Sequence, residues 1–305
     1  MMTTISKISL DKQKQPPYSS IQRKQYLIKK FQQEVSMKNL AGKNFLITGA
    51  GSGIGRLMSH YVADERANTA LIDVNSETVA KTVEEVKGRN VKAIGYVCDI
   101  SNSEAVLDVV AKIKQDFGPI DVIINNAGTV VGKSFFDLTL DEMQRTMNIN
   151  YWGHIYFTKA LIGDMITRNS GAIVNIASSS GLIGMPILSD YAASKFAEVG
   201  FSESLRRELK KFKYTGVKVT CVCPYIIDTG LFKGFKPMVM NPFIKPEDAA
   251  RAIVKGLKKG KPYVMLPPLS IYGSMMLKLL PTPIFDWMLS MSGSSVAMDS
   301  FTGRK

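Results

Sequence analysis

Short apolar runs alternate with longer segments of helical character along most of this chain of 305 residues. Parallel strands need long crossover connections, usually helices, so this alternation favours a parallel sheet. The sequence predicts an α/β fold: a doubly wound parallel sheet of the Rossmann type with helices on both faces. The longest helices are expected near 139–167 and 189–213, and about seven strands near 43–48, 69–73, 91–97, 120–124, 172–177, 217–222 and 262–266. A ligand should then bind at the carboxyl ends of the strands.

A glycine-rich turn, Thr48–Gly55 (TGAGSGIG), lies between the first predicted strand and a predicted helix. Glycines let the backbone turn tightly and approach a pyrophosphate, and a helix N-terminus offers free N–H groups and a positive dipole end. A glycine cluster alone is also compatible with a flexible turn, but its place between strand and helix favours a nucleotide. The expected binding residues here are Gly49, Ser52, Gly53, Ile54 and Gly55.

Asp73 ends the second predicted strand, eighteen residues after Gly55. A carboxylate at this position can accept hydrogen bonds from both ribose hydroxyls of an adenosine. It would repel a 2′-phosphate, and residues 50–52 hold no Lys or Arg to offset that repulsion. The sequence therefore predicts NAD rather than NADP, although a surface aspartate opening a turn is the plainer alternative.

Tyr191 and Lys195 are four residues apart in a predicted helix and therefore share a face, thirteen residues after Ser178. An ammonium beside a phenol favours the phenolate and lowers its pKa from about 10. Such a phenol can exchange a proton with an alcohol near neutral pH, while the Ser178 hydroxyl holds the reacting oxygen. The spacing alone is weak, because Tyr and Lys one turn apart are common on solvated helix surfaces.

With Asn125-Asn126-Ala127-Gly128 after the fourth strand, these motifs occur in an order that resembles the short-chain dehydrogenase/reductase family. The resemblance covers about residues 41–265 and is highly specific. It implies that Tyr191 is the general acid/base, that Lys195 binds the nicotinamide ribose and that Asn150 holds a proton-relay water. It also implies that the cofactor contacts include Asp99 and Ile100 at the adenine, with Asn126, Ala127, Gly128, Tyr191, Lys195, Pro224 and Thr229.

One position departs from the family pattern: Tyr225 follows Pro224 where the family usually has glycine. The tyrosine either shapes the substrate site or marks a loop that runs differently. The residues expected to contact substrate are Ser178, Met185, Tyr225 and Ile226.

The chain has a net charge of +13, which indicates either solubility or attraction to an anionic membrane surface. It contains no recognisable nucleic-acid module, so nucleic acid is not an expected partner. Three cysteines give no disulfide framework and are expected to be buried, reduced thiols. His60 and His154 are too few and too separated for a metal cluster, and each is expected on a helix surface or packing edge.

Two terminal segments flank the predicted dinucleotide-binding domain at 41–266. Residues 1–40 form a basic tail, expected to be disordered over 1–18 and then to form an amphipathic helix that lies on a membrane or packs on the domain. Residues 267–305 form an apolar extension. From residue 262 to residue 298 the only charged residues are Lys278 and Asp286. Prolines interrupt this extension, so short helices lying in a membrane interface are favoured over a spanning helix. The alternatives are that the extension covers a substrate pocket or a dimer interface.

Together these features predict an NAD-dependent oxidoreductase that interconverts a lipophilic alcohol (a sterol, retinoid or long-chain alcohol) and its carbonyl. The end of the chain resembles that of membrane-associated family members acting on retinoids and steroids. The expected location is the cytoplasmic face of the endoplasmic reticulum or a lipid droplet, and the resemblance implies a homodimer. The alternatives are a ketoreductase of 3-ketoacyl or steroid substrates, and a lipid-surface scaffold that retains the fold.

Overall fold

The protein is described by a computed structural model that covers residues 37–238 and 242–303. Its sheet contains seven parallel strands, as predicted, and their order is β3-β2-β1-β4-β5-β6-β7. Every pairing between neighbours is parallel, so each connection crosses over the sheet. The strands are β1 (Asn44–Thr48), β2 (Asn68–Asp73), β3 (Ala93–Val97), β4 (Val122–Asn125), β5 (Gly171–Ile176), β6 (Val217–Pro224) and β7 (Tyr263–Leu266).

Helices connect these strands and cover both faces of the sheet. They are α1 (Gly53–Asp64), α2 (Ser76–Lys87), α3 (Ser103–Phe117), α4 (Leu140–Met147), α5 (Gly153–Arg168), α6 (Ser189–Lys211), α7 (Pro246–Lys258), α8 (Pro268–Leu277) and α9 (Thr282–Met291). A 3-10 turn, Ser179–Gly181, follows β5. In the described residues no helix is long and apolar enough to cross a membrane.

The strand period of two sends alternate side chains to two separate cores. In β1, Phe45 and Ile47 pack with Met58 of α1 and other residues of one core. Leu46 faces the opposite layer, where Phe157 of α5 belongs to the other core. Fully burying a side chain of this size contributes about 1.5–3 kcal/mol, so the two layers fix the sheet register.

The single long helix expected over 139–167 is divided in the structure. A capping box of Thr139 and Glu142 starts α4, and a π-helical turn, Asn148–Trp152, separates it from α5. In this turn the Gly153 N–H bonds the carbonyl of Asn148, five residues back. Single π turns widen a helix locally and are frequent at functional sites; this one contains Asn150.

The apolar C-terminal segment folds back on the domain after α9. The Lys236 N–H donates to the Ala297 carbonyl at 2.8 Å, and the Thr302 N–H donates to the Lys233 carbonyl at 2.9 Å. Ala297 and Met298 are buried. The N-terminal tail expected at 1–40 lies outside the described residues up to position 36, so its helix stays a prediction.

Candidate active site

A cleft of about 340 Å³ opens at the carboxyl ends of the central strands, where the sequence motifs fall. Most of the predicted cofactor residues line it: Gly49, Ser52, Gly53, Ile54, Asp73, Asp99, Ile100, Asn126, Ala127, Gly128 and Thr229. Arg145 and Leu231 also line it, and the motifs gave no signal for either. The structure therefore brings residues from five separate strand ends into one elongated cleft.

The glycine-rich turn is shaped by close backbone packing. Gly49 has a φ of +64°, a backbone conformation that residues other than glycine rarely adopt. Gly55 does not line the cleft: a Cβ at Gly55 would collide with the carbonyl of Gly49. Gly55 therefore acts by letting the first turn of α1 lie against the end of β1, leaving the cleft to the residues before it.

Asp73 faces the glycine-rich turn. Its Oδ2 accepts the Gly51 N–H at 2.8 Å and its Oδ1 accepts the Asn75 N–H at 3.0 Å. These bonds hold the carboxylate at the wall of the cleft, with lone pairs left for further donors. The geometry suits an adenosine ribose and places negative charge where a 2′-phosphate would lie.

The two asparagines of the 125–128 motif bond to neighbouring strands. Asn126 Nδ2 donates to the Thr48 carbonyl at 2.8 Å, and the Ala127 N–H donates to Thr48 Oγ1 at 3.0 Å. Asn125 Nδ2 donates to Asn175 Oδ1 at 2.8 Å on β5. These bonds hold the strand ends together without bulky side chains at the sheet edge. The cleft therefore stays open above Ala127.

A second, smaller cavity of about 100 Å³ is lined by three of the four predicted catalytic residues, and Asn150 is not among its lining residues. Ser178, Tyr191 and Lys195 all line it and are 3–6% exposed. Asn126, Gly128 and Thr229 line both cavities, so the two adjoin. Pro224, Tyr225 and Ile226 complete the wall formed by the end of β6.

The protein alone does not lower the pKa of Tyr191, contrary to the sequence-based expectation. Burial raises the pKa of Tyr191 to about 12, and a hydrogen bond with Ser178 opposes that rise. Lys195 Nζ lies 5.8 Å from the centroid of the Tyr191 ring and donates to the Ile176 carbonyl at 2.8 Å. Burial also lowers the pKa of Lys195. At this distance the ammonium does not overcome the cost of desolvating the phenolate.

Asn150 is fully buried and its amide is held by neighbouring groups. Its Oδ1 accepts the Thr129 N–H at 2.7 Å, and its Nδ2 donates to the Thr129 carbonyl at 2.9 Å and to Ser194 Oγ at 3.0 Å. The side chain thus joins the π turn to α6 and to the loop segment that follows Gly128. Its predicted role with a relay water stays a prediction.

Tyr225 packs inward and shapes the substrate end. Its hydroxyl accepts the Met238 N–H at 3.3 Å, and its ring meets Phe235 edge-on. Met185 lines a separate cavity of about 50 Å³, and Tyr225 lines both that cavity and the catalytic one. The tyrosine therefore forms the partition between two apolar spaces.

Aromatic rings cover the catalytic tyrosine from the C-terminal side. Phe232 meets Tyr191 edge-on with ring centroids 5.5 Å apart, and Phe301 packs on Phe232 at 6.2 Å. Phe232 lies in the loop that follows β6. Phe301 was missed, because no local pattern indicates that a residue near the end of the chain returns to this site.

His154 is completely buried, which corrects the expectation of a surface or edge position. Its Nε2 lies 2.8 Å from the Ala127 carbonyl, and its Nδ1 lies 3.1 Å from Glu198 Oε2. His60 lies at a packing edge, as expected, beside Glu85. The three cysteines are free and buried, and within the described residues no cluster of potential ligands could hold a metal ion.

Known proteins are similar to this chain in sequence and in fold. Residues 43–239 match the family model described as short chain dehydrogenase. Epidermal retinol dehydrogenase 2 of Mus musculus is 37% identical over 271 residues, 88% of each chain. Estradiol 17-beta-dehydrogenase 11 of Pongo abelii is 33% identical, over 80% of this chain and 81% of that protein.

The fold is also that of a solved structure. A short-chain dehydrogenase/reductase from Burkholderia phymatum in complex with NAD superimposes with a TM-score of 0.72 at 24% identity, over 79% of this chain and 94% of that one. The match of the family model over most of the sheet, together with two relatives above 30% identity, leads to one conclusion. The chain belongs to the short-chain dehydrogenase family.

Proposed function

We propose that this protein is an NAD-dependent dehydrogenase that interconverts a lipophilic alcohol, such as a retinoid, steroid or long-chain alcohol, and its carbonyl. One observation carries the proposal: Ser178, Tyr191 and Lys195 line one cavity that adjoins the cleft formed by the glycine-rich turn and Asp73. The relatives named as retinol and estradiol dehydrogenases support the substrate class.

Each catalytic side chain has a separate role in the proposed reaction. In the oxidative direction Tyr191 Oη, as the phenolate, takes the hydroxyl proton of the alcohol while Ser178 Oγ holds the alcohol oxygen. Lys195 supplies positive charge beside the phenolate and binds the ribose, and Asn150 completes the proposed proton path. When bound, NAD accepts the hydride from the carbinol carbon.

Burial of Tyr191 fits this scheme only with a bound cation nearby. Burial raises the pKa of Tyr191 to about 12, so its phenolate needs positive charge nearby at neutral pH. Lys195 supplies one such charge, and NAD, when bound, would supply a second through its nicotinamide. Asp73 at the ribose end supports NAD, because a 2′-phosphate would meet its carboxylate.

The apolar surroundings of the catalytic cavity support a lipophilic substrate. Ile226, Leu231 and Phe232 line it, and Met185 and Leu289 line the neighbouring cavity beyond Tyr225. A largely apolar wall with a few polar groups at the reacting end is the usual form of a site for such a ligand.

A panel of retinoids, sterols and aliphatic alcohols, each offered with NAD and with NADP, tests this function by the appearance of reduced cofactor. We expect turnover with NAD, and a loss of about 10²–10⁴-fold in Tyr191→Phe. Tyr214→Phe, outside both cavities, is the matched control. Turnover only with NADP, or only of carbonyl substrates, would favour the ketoreductase. Absence of any turnover while vesicle binding persists would favour a scaffold.

We also propose that α8 and α9 attach the protein to a lipid surface. This surface is either the cytoplasmic face of the endoplasmic reticulum membrane or a lipid droplet. Leu269 is 88% exposed, Leu279 78% and Trp287 61%. Exposed apolar helices with an aromatic residue fit the boundary between headgroups and acyl chains. This surface would let a lipophilic substrate reach the site without crossing water.

Flotation with neutral phosphatidylcholine vesicles tests this contact. Leu269→Glu combined with Trp287→Glu is expected to abolish flotation, because each charge would enter the acyl region. Leu107→Glu, at a position 59% exposed on α3, is the control and should float like the parent. Equal flotation of the double variant and the parent would contradict the proposed contact, and fractionation of cells would test the location.

By resemblance we propose a homodimer formed through the two long helical segments around α5 and α6. Trp152, next to α5, and Phe196 on α6 are about 40% exposed and support an apolar contact there. Sedimentation of the purified protein should give twice the chain mass, and a monomer at all concentrations would contradict this assembly.

A further inference from the structure

A carboxylic acid is completely buried behind the proposed catalytic lysine. Glu198 lies on α6, three residues after Lys195 and therefore on a neighbouring part of the same face. Burying a carboxylate is strongly unfavourable unless a partner compensates its charge. Glu198 Oε2 lies 3.1 Å from His154 Nδ1 on α5, and both side chains are 0% exposed.

The imidazole of His154 lies between two oxygen atoms. Its Nε2 lies 2.8 Å from the Ala127 carbonyl, which can only accept, so Nε2 carries a hydrogen. Its Nδ1 faces Glu198 Oε2, although the approach departs from good hydrogen-bond geometry. A lone pair on Nδ1 would face the carboxylate and leave a buried charge uncompensated, whereas a hydrogen there would compensate that charge.

Charged and titratable groups on α6, on the π turn and on β6 interact with Glu198. Lys195 is a second cation near the carboxylate, and the charge of Glu198 opposes the fall in the pKa of Lys195 that burial causes. Two further titratable groups interact with the charge of Glu198: Tyr151 in the π turn and Cys221 on β6. Burial raises the pKa of Cys221, which keeps that thiol protonated.

We propose that Glu198 and His154 are positioning residues of the dehydrogenase, joined as a buried carboxylate–imidazolium pair. The pair links the helix that carries Tyr191 and Lys195 to the Ala127 carbonyl in the cofactor-binding turn. It also places a fixed negative charge behind Lys195, which keeps the ammonium protonated in a buried site. This inference rests on the proposed role of Lys195.

Nuclear magnetic resonance tests the charge state without any turnover. The chain has only two histidines, so His60→Gln leaves His154 as the single ring signal. With ¹⁵N-labelled histidine at pH 7.5 we expect both ring nitrogens of His154 to carry hydrogen. In His60→Gln with Glu198→Gln, Nδ1 should lose its hydrogen. An unprotonated Nδ1 in the presence of Glu198 would overturn the proposal.

The pH dependence tests the effect on Lys195. Glu198→Gln removes the charge that raises the pKa of Lys195, so Lys195 should lose its proton at lower pH. The alkaline limb of kcat/KM and of NAD affinity, measured by calorimetry, should then move down by about one pH unit. Glu203→Gln on the same helix is the control and should leave both limbs in place. Coincident profiles for Glu198→Gln and the parent would contradict the proposal.

Thermal unfolding separates pairing from simple packing. His154→Gln leaves the Glu198 carboxylate without its counter-charge and should lower Tm more than the double change of His154→Gln with Glu198→Gln. A double variant less stable than His154→Gln would contradict the pairing. If the parent oxidised no alcohol, the proposed function would fail, while the ring signals and the NAD affinity would still decide this inference.

Discussion

At the scale of single residues, Tyr191 shows two opposed effects on one phenol. Burial raises its pKa to about 12, whereas the hydrogen bond with Ser178 lowers it. The serine therefore acts on the pKa of Tyr191 in addition to its proposed role of holding the substrate oxygen. Its contribution is separable from that of Lys195, whose ammonium lies over the ring and bonds the Ile176 carbonyl.

Ser178→Ala should move the acid limb of alcohol oxidation to higher pH. The oxidative direction uses ionised Tyr191, and loss of the hydrogen bond removes an effect that lowers its pKa, so less phenolate is present at pH 7. Together with the lost contact to the alcohol oxygen, we expect kcat/KM at pH 7 to fall by about 10²-fold. A pH profile of kcat/KM measures both effects. Ser180→Ala should leave the limb in place; an unmoved limb in Ser178→Ala would show that the serine only positions substrate.

At the scale of elements, the π turn and α5 place several groups at once. The turn holds Asn150 against Thr129 and Ser194, and α5 then brings Gly153 against Ile100 of the cleft. A Cβ at Gly153 would lie 2.6 Å from Ile100 Cδ1 and 2.9 Å from its carbonyl oxygen. The helix thus approaches the adenine end of the cleft as closely as a glycine permits.

Gly153→Ala is expected to destabilise the protein by about 1–3 kcal/mol, because the added methyl overpacks a contact with backbone. It should also weaken NAD binding, since Ile100 lines the cleft. Gly163→Ala on the same helix is the matched control: nothing lies within 4 Å of its added Cβ. That change should stabilise by about 0.5–1 kcal/mol. Denaturant unfolding measures both, and equal effects would contradict the close approach at Gly153.

At the scale of the whole molecule, the end of the chain packs beside the candidate active site. Phe301 lies on Gly132 and on Phe232, which in turn contacts Tyr191. The backbone of residues 297–302 is tied to Lys233 and Lys236. A segment after two exposed helices therefore covers the catalytic cavity, so surface attachment and pocket covering are compatible in one extension.

Phe301→Ala should raise KM for an apolar alcohol by about 10-fold and leave kcat nearly unchanged. The ring contact with Phe232 is worth about 0.5–1.5 kcal/mol beyond its buried area, and it supports the pocket without touching the reacting atoms. Steady-state kinetics measures the split. Phe212→Ala, at an exposed position at the end of α6, is the control. A fall in kcat with constant KM would contradict this role.

The sequence by itself determined the sheet and the positions of its motifs. Alternation of apolar runs with helices, and glycines beside β1, are local patterns that parallel pairing converts into a cleft, so seven strands and the family were predictable. Only the tertiary structure decided the burial of His154 with Glu198, the inward turn of Tyr225 and the return of Phe301. These contacts join residues far apart in the chain, and burial, which sets the pKa of Tyr191, exists only once those distant segments pack together.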